Sequence, residues 1–173
     1  MGPCPSTLHD FKLMFKKTIF FVIAILWQQL PAFSCSCIWT GSFVEASANQ
    51  PLIIRGRIQQ YGAQIFPTQK IYTEMDIEVL DVIRGNYSQP TLKLLGDPGH
   101  LCRPYISQTA FPLQGEFLFA VQIPERNKVP LSACGEFYLQ VKDQSVRGKK
   151  LKDGKLETYT QPYQSLIKSL SGG

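Results

Sequence analysis

Ile71-Tyr72-Thr73-Glu74-Met75-Asp76-Ile77-Glu78-Val79 sets Ile71, Thr73, Met75, Ile77 and Val79 against Tyr72, Glu74, Asp76 and Glu78. The period is two over at least eight residues, and a pleated strand is the element that turns successive side chains to opposite faces. One face is expected to be buried and the other wet. Upstream, Leu52-Ile53-Ile54-Arg55-Gly56-Arg57-Ile58 is rich in branched residues and starts after Pro51, so it reads as a strand with a bulge or bend at its glycine. Downstream, Gly85-Asn86 breaks the alternating run. Residues 91–95 then form a third strand before the loop Gly96-Asp97-Pro98-Gly99, residues 115–121 a fourth, and residues 137–141 another. Short strands divided by turn residues indicate an all-β barrel or sandwich. A short helix is expected over residues 41–49, with Phe43 and Ala46 on one side. A second is expected over 162–170, where Tyr163, Leu166, Ile167 and Leu170 recur at helical spacing.

The N-terminal 34 residues read differently. Lys16 and Lys17 form a positive start, residues 18–27 an apolar run of signal-peptide length, and Ala32-Phe33-Ser34 a small-residue cleavage site. Cleavage after Ser34 is expected, leaving residues 35–173 as a single secreted domain. Met14 would open a more compact leader, and Cys4 would then play no part in the fold. Gln28, Gln29 and Pro31 interrupt the run within the roughly 20 residues a bilayer crossing needs, so no transmembrane helix is expected. Ala32-Phe33-Ser34-Cys35 is also an imperfect lipobox, and acylation of Cys35 in a bacterial envelope is the alternative fate. The four cysteines beyond the cut, Cys35, Cys37, Cys102 and Cys134, are an even set suited to two disulfides, with three connectivities open.

The remaining 139 residues carry 15 cationic and 12 acidic side chains, a formal charge of +3. Arg147, Lys149, Lys150, Lys152 and Lys155 gather near the end, around the turn signal Asp153-Gly154. They suit either an anionic surface or polysaccharide, or simply the solvated face of a hairpin. Nucleic acid is not the expected partner of a secreted chain. Asn86-Tyr87-Ser88 is a glycosylation sequon in a turn, relevant only in a host with that pathway.

The inventory for catalysis is poor. There is no HExxH, no GxSxG and no phosphate-cradling glycine loop. His100 is the only histidine after residue 34, and no nucleophile setting surrounds it. Glu74, Asp76 and Glu78 share one strand face, but their alternation with apolar residues reads as a solvated exterior rather than an acid/base or calcium cluster. An enzyme is not expected.

An ordered set of segments carries more information than composition does. Cys35-Ser36-Cys37, Ile53-Ile54-Arg55-Gly56-Arg57, Asp81-Val82-Ile83-Arg84-Gly85, Cys102, Gly115-Glu116-Phe117-Leu118-Phe119-Ala120 and Leu131-Ser132-Ala133-Cys134 run in sequence over residues 35–141. This set resembles the netrin-like module and, within it, the inhibitory domain of the tissue inhibitors of metalloproteinases. The resemblance implies a five-stranded Greek-key barrel of the oligonucleotide/oligosaccharide-binding type with flanking helices. It also implies disulfides from Cys35 to Cys102 and from Cys37 to Cys134.

The function implied is inhibition of a zinc metalloendopeptidase. The free α-amino nitrogen and carbonyl oxygen of Cys35 would chelate the protease's zinc, supplied in trans, with no cofactor of the chain's own. Ser36 would enter the pocket beyond the metal, where the family's commonest residue is threonine. Cys37, Ile38 and Trp39 would continue the edge, flanked by His100 and Leu101. Trp39 has a second reading as a cap on the barrel, and His100 as a plain loop residue. The family's six-cysteine second domain has no counterpart, since no cysteine follows Cys134. A monomer is expected. The rival reading is a netrin-like binding module, lipid-anchored at Cys35 or not, that inhibits no protease.

Overall fold

The computed structural model describes residues 37–171. The expected leader over 1–34, the alternative start at Met14, and Cys4, Cys35 and Ser36 lie outside that range.

The chain enters through helix α1 (Phe43–Ser47) and strand β1 (Leu52–Tyr61), then β2 (Gln64–Phe66), a 3-10 turn (Pro67–Gln69) and β3 (Ile71–Tyr72). Strands β4 (Glu74–Arg84), β5 (Thr91–Leu95), β6 (Ile106–Ser107), β7 (Glu116–Val121), β8 (Lys128–Pro130) and β9 (Tyr138–Lys142) follow. A long hairpin of β10 (Ser145–Lys152) and β11 (Lys155–Pro162) leads into helix α2 (Tyr163–Ser171). The protein is β-rich, as expected. Among the described residues no helix is long and apolar enough to cross a membrane.

Eight strands form one sheet in the order β11-β10-β9-β7-β1-β4-β5-β8, and β2-β3-β6 form a second, smaller sheet. The alternating run that suggested a single strand is split at Thr73. Tyr72 and Ile71 pair with the small sheet, whereas Glu74 opens β4 in the large one. Met75 and Ile77 are fully buried, so the expected polarity of the faces holds beyond the break. The anticipated irregularity in β1 is present as register shifts against β4, one of them between Arg55 and Gly56.

The apolar run Phe117–Val121 is buried throughout because both faces of β7 are covered. Phe117, Phe119 and Val121 join Ile54, Ile58, Met75, Leu92 and Phe111 in one core. Leu118 and Ala120 face the other way, with Ile53 and Leu139, onto Phe43 of α1 and Tyr163, Leu166 and Leu170 of α2. Arg84 ties the two helices together: its guanidinium donates to Ser47 O at 2.8 Å and to Leu170 O at 3.2 Å. A cation at two helix C-termini meets the carbonyls that have no partner inside the helix.

Gly85, which ends β4, has a φ of +90°, and a Cβ there would collide with Pro51 O. The acidic face of β4 is tied to basic neighbours. Lys93 Nζ lies 2.9 Å from Glu74 and 2.8 Å from Asp76, and Arg57 bridges Glu78 at 3.2 Å and Glu116 at 2.8 Å.

Candidate functional site

The segment that follows the cysteine pair is fastened to the turn before β9. Cys37 is disulfide-bonded to Cys134, Cα to Cα 5.5 Å, across 97 residues of sequence. Three residues later the backbone N–H and the hydroxyl of Thr40 both donate to Cys134 O, at 2.8 and 2.9 Å. Glu136 N–H donates in turn to Gly41 O at 3.2 Å. The close approach depends on Gly135, where a Cβ would run into Thr40 Oγ1. Residues 37–41 are thus held at several points, and Ile38 between them is 89 % exposed.

A second segment arrives at the same turn. Ala133 N–H donates to Cys102 O at 3.3 Å, one residue before the disulfide cysteine Cys134. Cys102 is itself in disulfide form, and the partner expected for it, Cys35, lies outside the described residues. The loop leading to Cys102 is shaped by Asp97, whose Oδ1 accepts from the backbone N–H groups of Gly99, His100 and Leu101 at 2.7, 2.8 and 2.8 Å. Burial opposes the charge on Asp97, but those three donors outweigh it, and His100 adds to them. Its carboxyl is held below the ordinary value of 3.8. His100 is exposed at the crest of this loop and Leu101 is half-buried.

The structure therefore gathers Cys37, Ile38 and Trp39 with the loop carrying His100 and Leu101, through tethers to the adjacent residues Ala133 and Cys134. Sequence reading overlooked two parts of this site. In the sequence Asp97 reads only as a turn residue, although an Asp-Pro-Gly sequence is the sort in which the side chain accepts from the following backbone. Nothing in the spacing of Phe66 and Tyr105 marks them; their rings meet edge-on at 6.4 Å, both partly exposed, and a Cβ at Gly99 would lie in van der Waals contact with the Phe66 ring.

Trp39 lines a cavity of about 500 Å³ together with Phe117, Glu136, Tyr138, Arg147 and Lys149. Its indole Nε1–H is buried and meets no acceptor among the described residues. Glu136 is 7 % exposed. Burial pushes its carboxyl up to about 7, opposed by the backbone N–H of Lys149, which donates to Oε2 at 2.9 Å, and by the Lys149 charge. Burial and the nearby Glu136 likewise raise the Tyr138 phenol.

The ensemble is an edge tethered at several points, with the exposed Ile38 at its tip. Among the described residues no three His, Cys, Asp or Glu side chains come together as a metal-holding group. No protein-family model matches the chain, and no curated protein does.

Proposed function

We propose that the chain is a secreted inhibitor of zinc metalloendopeptidases, netrin-like in architecture and similar to the inhibitory domain of the tissue inhibitors of metalloproteinases. The observation that carries this reading is the convergence of two distant segments, residues 37–41 and 97–102, on the adjacent residues Ala133 and Cys134. An inhibitor gains affinity when its contact edge is ordered before it binds, because little conformational freedom is then lost on docking.

The architecture supports the reading. Strands β9, β7, β1, β4 and β5 are antiparallel neighbours, and β8 lies parallel to β5. Since β8 and β9 belong to one run, residues 128–142, that run touches β5 at one end and β7 at the other. A connection of this kind is what the proposed five-stranded barrel of the oligonucleotide-binding type would need in order to close, and it supports that reading.

In the proposed mechanism, cleavage after Ser34 makes Cys35 the first residue. Its α-amino nitrogen and carbonyl oxygen occupy the position that a catalytic zinc keeps open for water. The amine must be neutral to donate, which an α-amino pKa of about 8 allows near neutral pH. Ser36 extends past the metal, while Ile38 and Trp39 on one side and His100 and Leu101 on the other rest on the cleft walls. Large apolar side chains beside a rigid centre carry most of the affinity in such contacts.

The test compares protein beginning at Cys35 with protein carrying one added N-terminal alanine, against a zinc endopeptidase. Inhibition by the first and its loss in the second is the expected result. Equal potency of the two would remove the chelation mechanism.

A further inference from the structure

We propose that the ribbon formed by β10 and β11 is a docking arm for an anionic lipid bilayer, with Leu151 and Leu156 as its apolar contact. Strand β9 pairs with β10 only from Ser145 to Arg147, whereas β10 and β11 remain paired out to Lys152 and Lys155. Gly148 is still buried and the Lys149 amide is still bonded to Glu136, so the ribbon stands clear of the sheet only beyond Lys149, by about 10 Å at the usual rise of a strand. Every residue from Lys149 to Thr158 is exposed, so this part contributes nothing to either core.

Its chemistry is lopsided. Arg147, Lys149, Lys150, Lys152 and Lys155 stand against only Asp153 and Glu157, while the other ten cations of residues 35–173 are balanced by ten carboxylates. The whole net charge of that unit resides on the ribbon. Among the described residues the only carboxylate paired with a ribbon cation is the exposed Glu157, 3.9 Å from Lys152.

Lysines on an unpaired edge are the ordinary guard against sheet-to-sheet aggregation, and that accounts for the charge. It does not account for Leu151 and Leu156. They are cross-strand partners near the tip, on the same face as Arg147 and Lys149, and each is 54 % exposed. A polysaccharide offers nothing for leucine to bury in, whereas the interface of a bilayer does. A ribbon about one Debye length thick places the lysines of both faces within reach of the same lipid phosphates. Charge complementarity and the leucine pair together favour the bilayer over a soluble polyanion.

The test uses the Cys35–Gly173 unit, whose cores are closed among residues 43–170. It is sedimented with vesicles of phosphatidylcholine alone or mixed with phosphatidylglycerol, with disulfide content and circular dichroism confirming the fold of each variant. Binding to the mixed vesicles alone is expected, weakening as salt rises. Leu151→Ser with Leu156→Ser should lower affinity on the order of tenfold, and phenylalanine at both positions should restore it. Lys149→Gln, Lys150→Gln and Lys152→Gln together should lower it by more than tenfold and flatten the salt dependence. The proposal is overturned if anionic vesicles capture no more protein than neutral ones, or if the serine variant binds as wild type does. It is equally overturned if soluble heparin binds the serine variant as tightly as wild type and displaces both from vesicles, or if the leucines prove to hold a dimer that ignores vesicles.

Discussion

Glu136 is the residue on which the contact edge and the ribbon both depend. Its backbone N–H holds Gly41 and its carboxyl holds the amide of Lys149. The ordinary value of 4.5 rises to about 7 in the fold. Below 4.5 both folded and unfolded chains are protonated and there is no penalty. Between 4.5 and 7 the unfolded chain loses its proton while the folded one keeps it, so stability declines as pH rises, by up to about 3 kcal/mol. Glu136→Gln keeps an acceptor for Lys149 and removes the titration. It should be more stable than wild type at pH 8 and equal to it at pH 4, as read by denaturant unfolding. Asp97 has the opposite sign. Its lowered carboxyl pKa lends stability that is present above 3.8 and lost as pH falls through the folded value. Asp97→Ala leaves three backbone N–H groups without their acceptor and should cost roughly 2–3 kcal/mol at neutral pH. The gap should close in acid, and hydrogen exchange at residues 99–101 should accelerate.

The element that matters most to the proposed activity is the short strap of residues 37–41 against 134–136. Its covalent part closes a loop across a sequence separation of 97 residues. Loops of that size are worth about 4–5 kcal/mol in the chain-entropy account. Cys37→Ala with Cys134→Ala should lose about that much stability, measured against wild type with and without reductant. Gly135→Val tests the strap without touching the disulfide. The added side chain would displace Thr40, so inhibition should weaken while the midpoint of unfolding falls by only a few degrees. Some of this strap was legible in the sequence. The Cys-x-Cys pair announced that this segment was fastened to distant cysteines, and the netrin-like resemblance implied Cys134 as the partner of Cys37. Thr40, Gly41 and Gly135, by contrast, are unremarkable residues whose roles exist only once the partner segment is beside them. The split of the alternating run at Thr73 was hidden for a related reason. A period of two reports which face is buried, and it does not report which sheet a strand joins. Strand β8, three residues long and parallel to β5, had no periodicity to betray it.

At the scale of the whole molecule, the sequence announced its burial better than its pairing. The helical spacing of Tyr163, Leu166 and Leu170 foretold a helix with one apolar side, and those three residues are buried together, because burial leaves a pattern in side-chain type. The continuously apolar Phe117–Val121 was read only as a strand, and its covering on both faces emerged from the fold. Pairing between distant strands leaves none, and the smaller β2-β3-β6 sheet went unanticipated. The same distinction separates the body of the protein from its ribbon. Both cores are built from residues between 43 and 170 that bracket the ribbon tip without using it. Val146 and Gly148 are the last buried residues of β10, and Leu139 would collide with any Cβ at Gly148, so the body ends there. Residues 150–157 should therefore be dispensable for folding. Replacing them with Asp-Gly, so that Lys149 and Thr158 are joined by a two-residue turn, preserves the cross-strand pair and the Lys149 bond to Glu136. The shortened protein should melt within a few degrees of wild type and keep the Cys37–Cys134 disulfide, while its binding to anionic vesicles disappears. Protease inhibition should survive, because the contact edge and the loop shaped by Asp97 remain in place. A shortened chain that failed to fold would show instead that the ribbon supports the sheet, and its exposed leucines would then need a structural explanation.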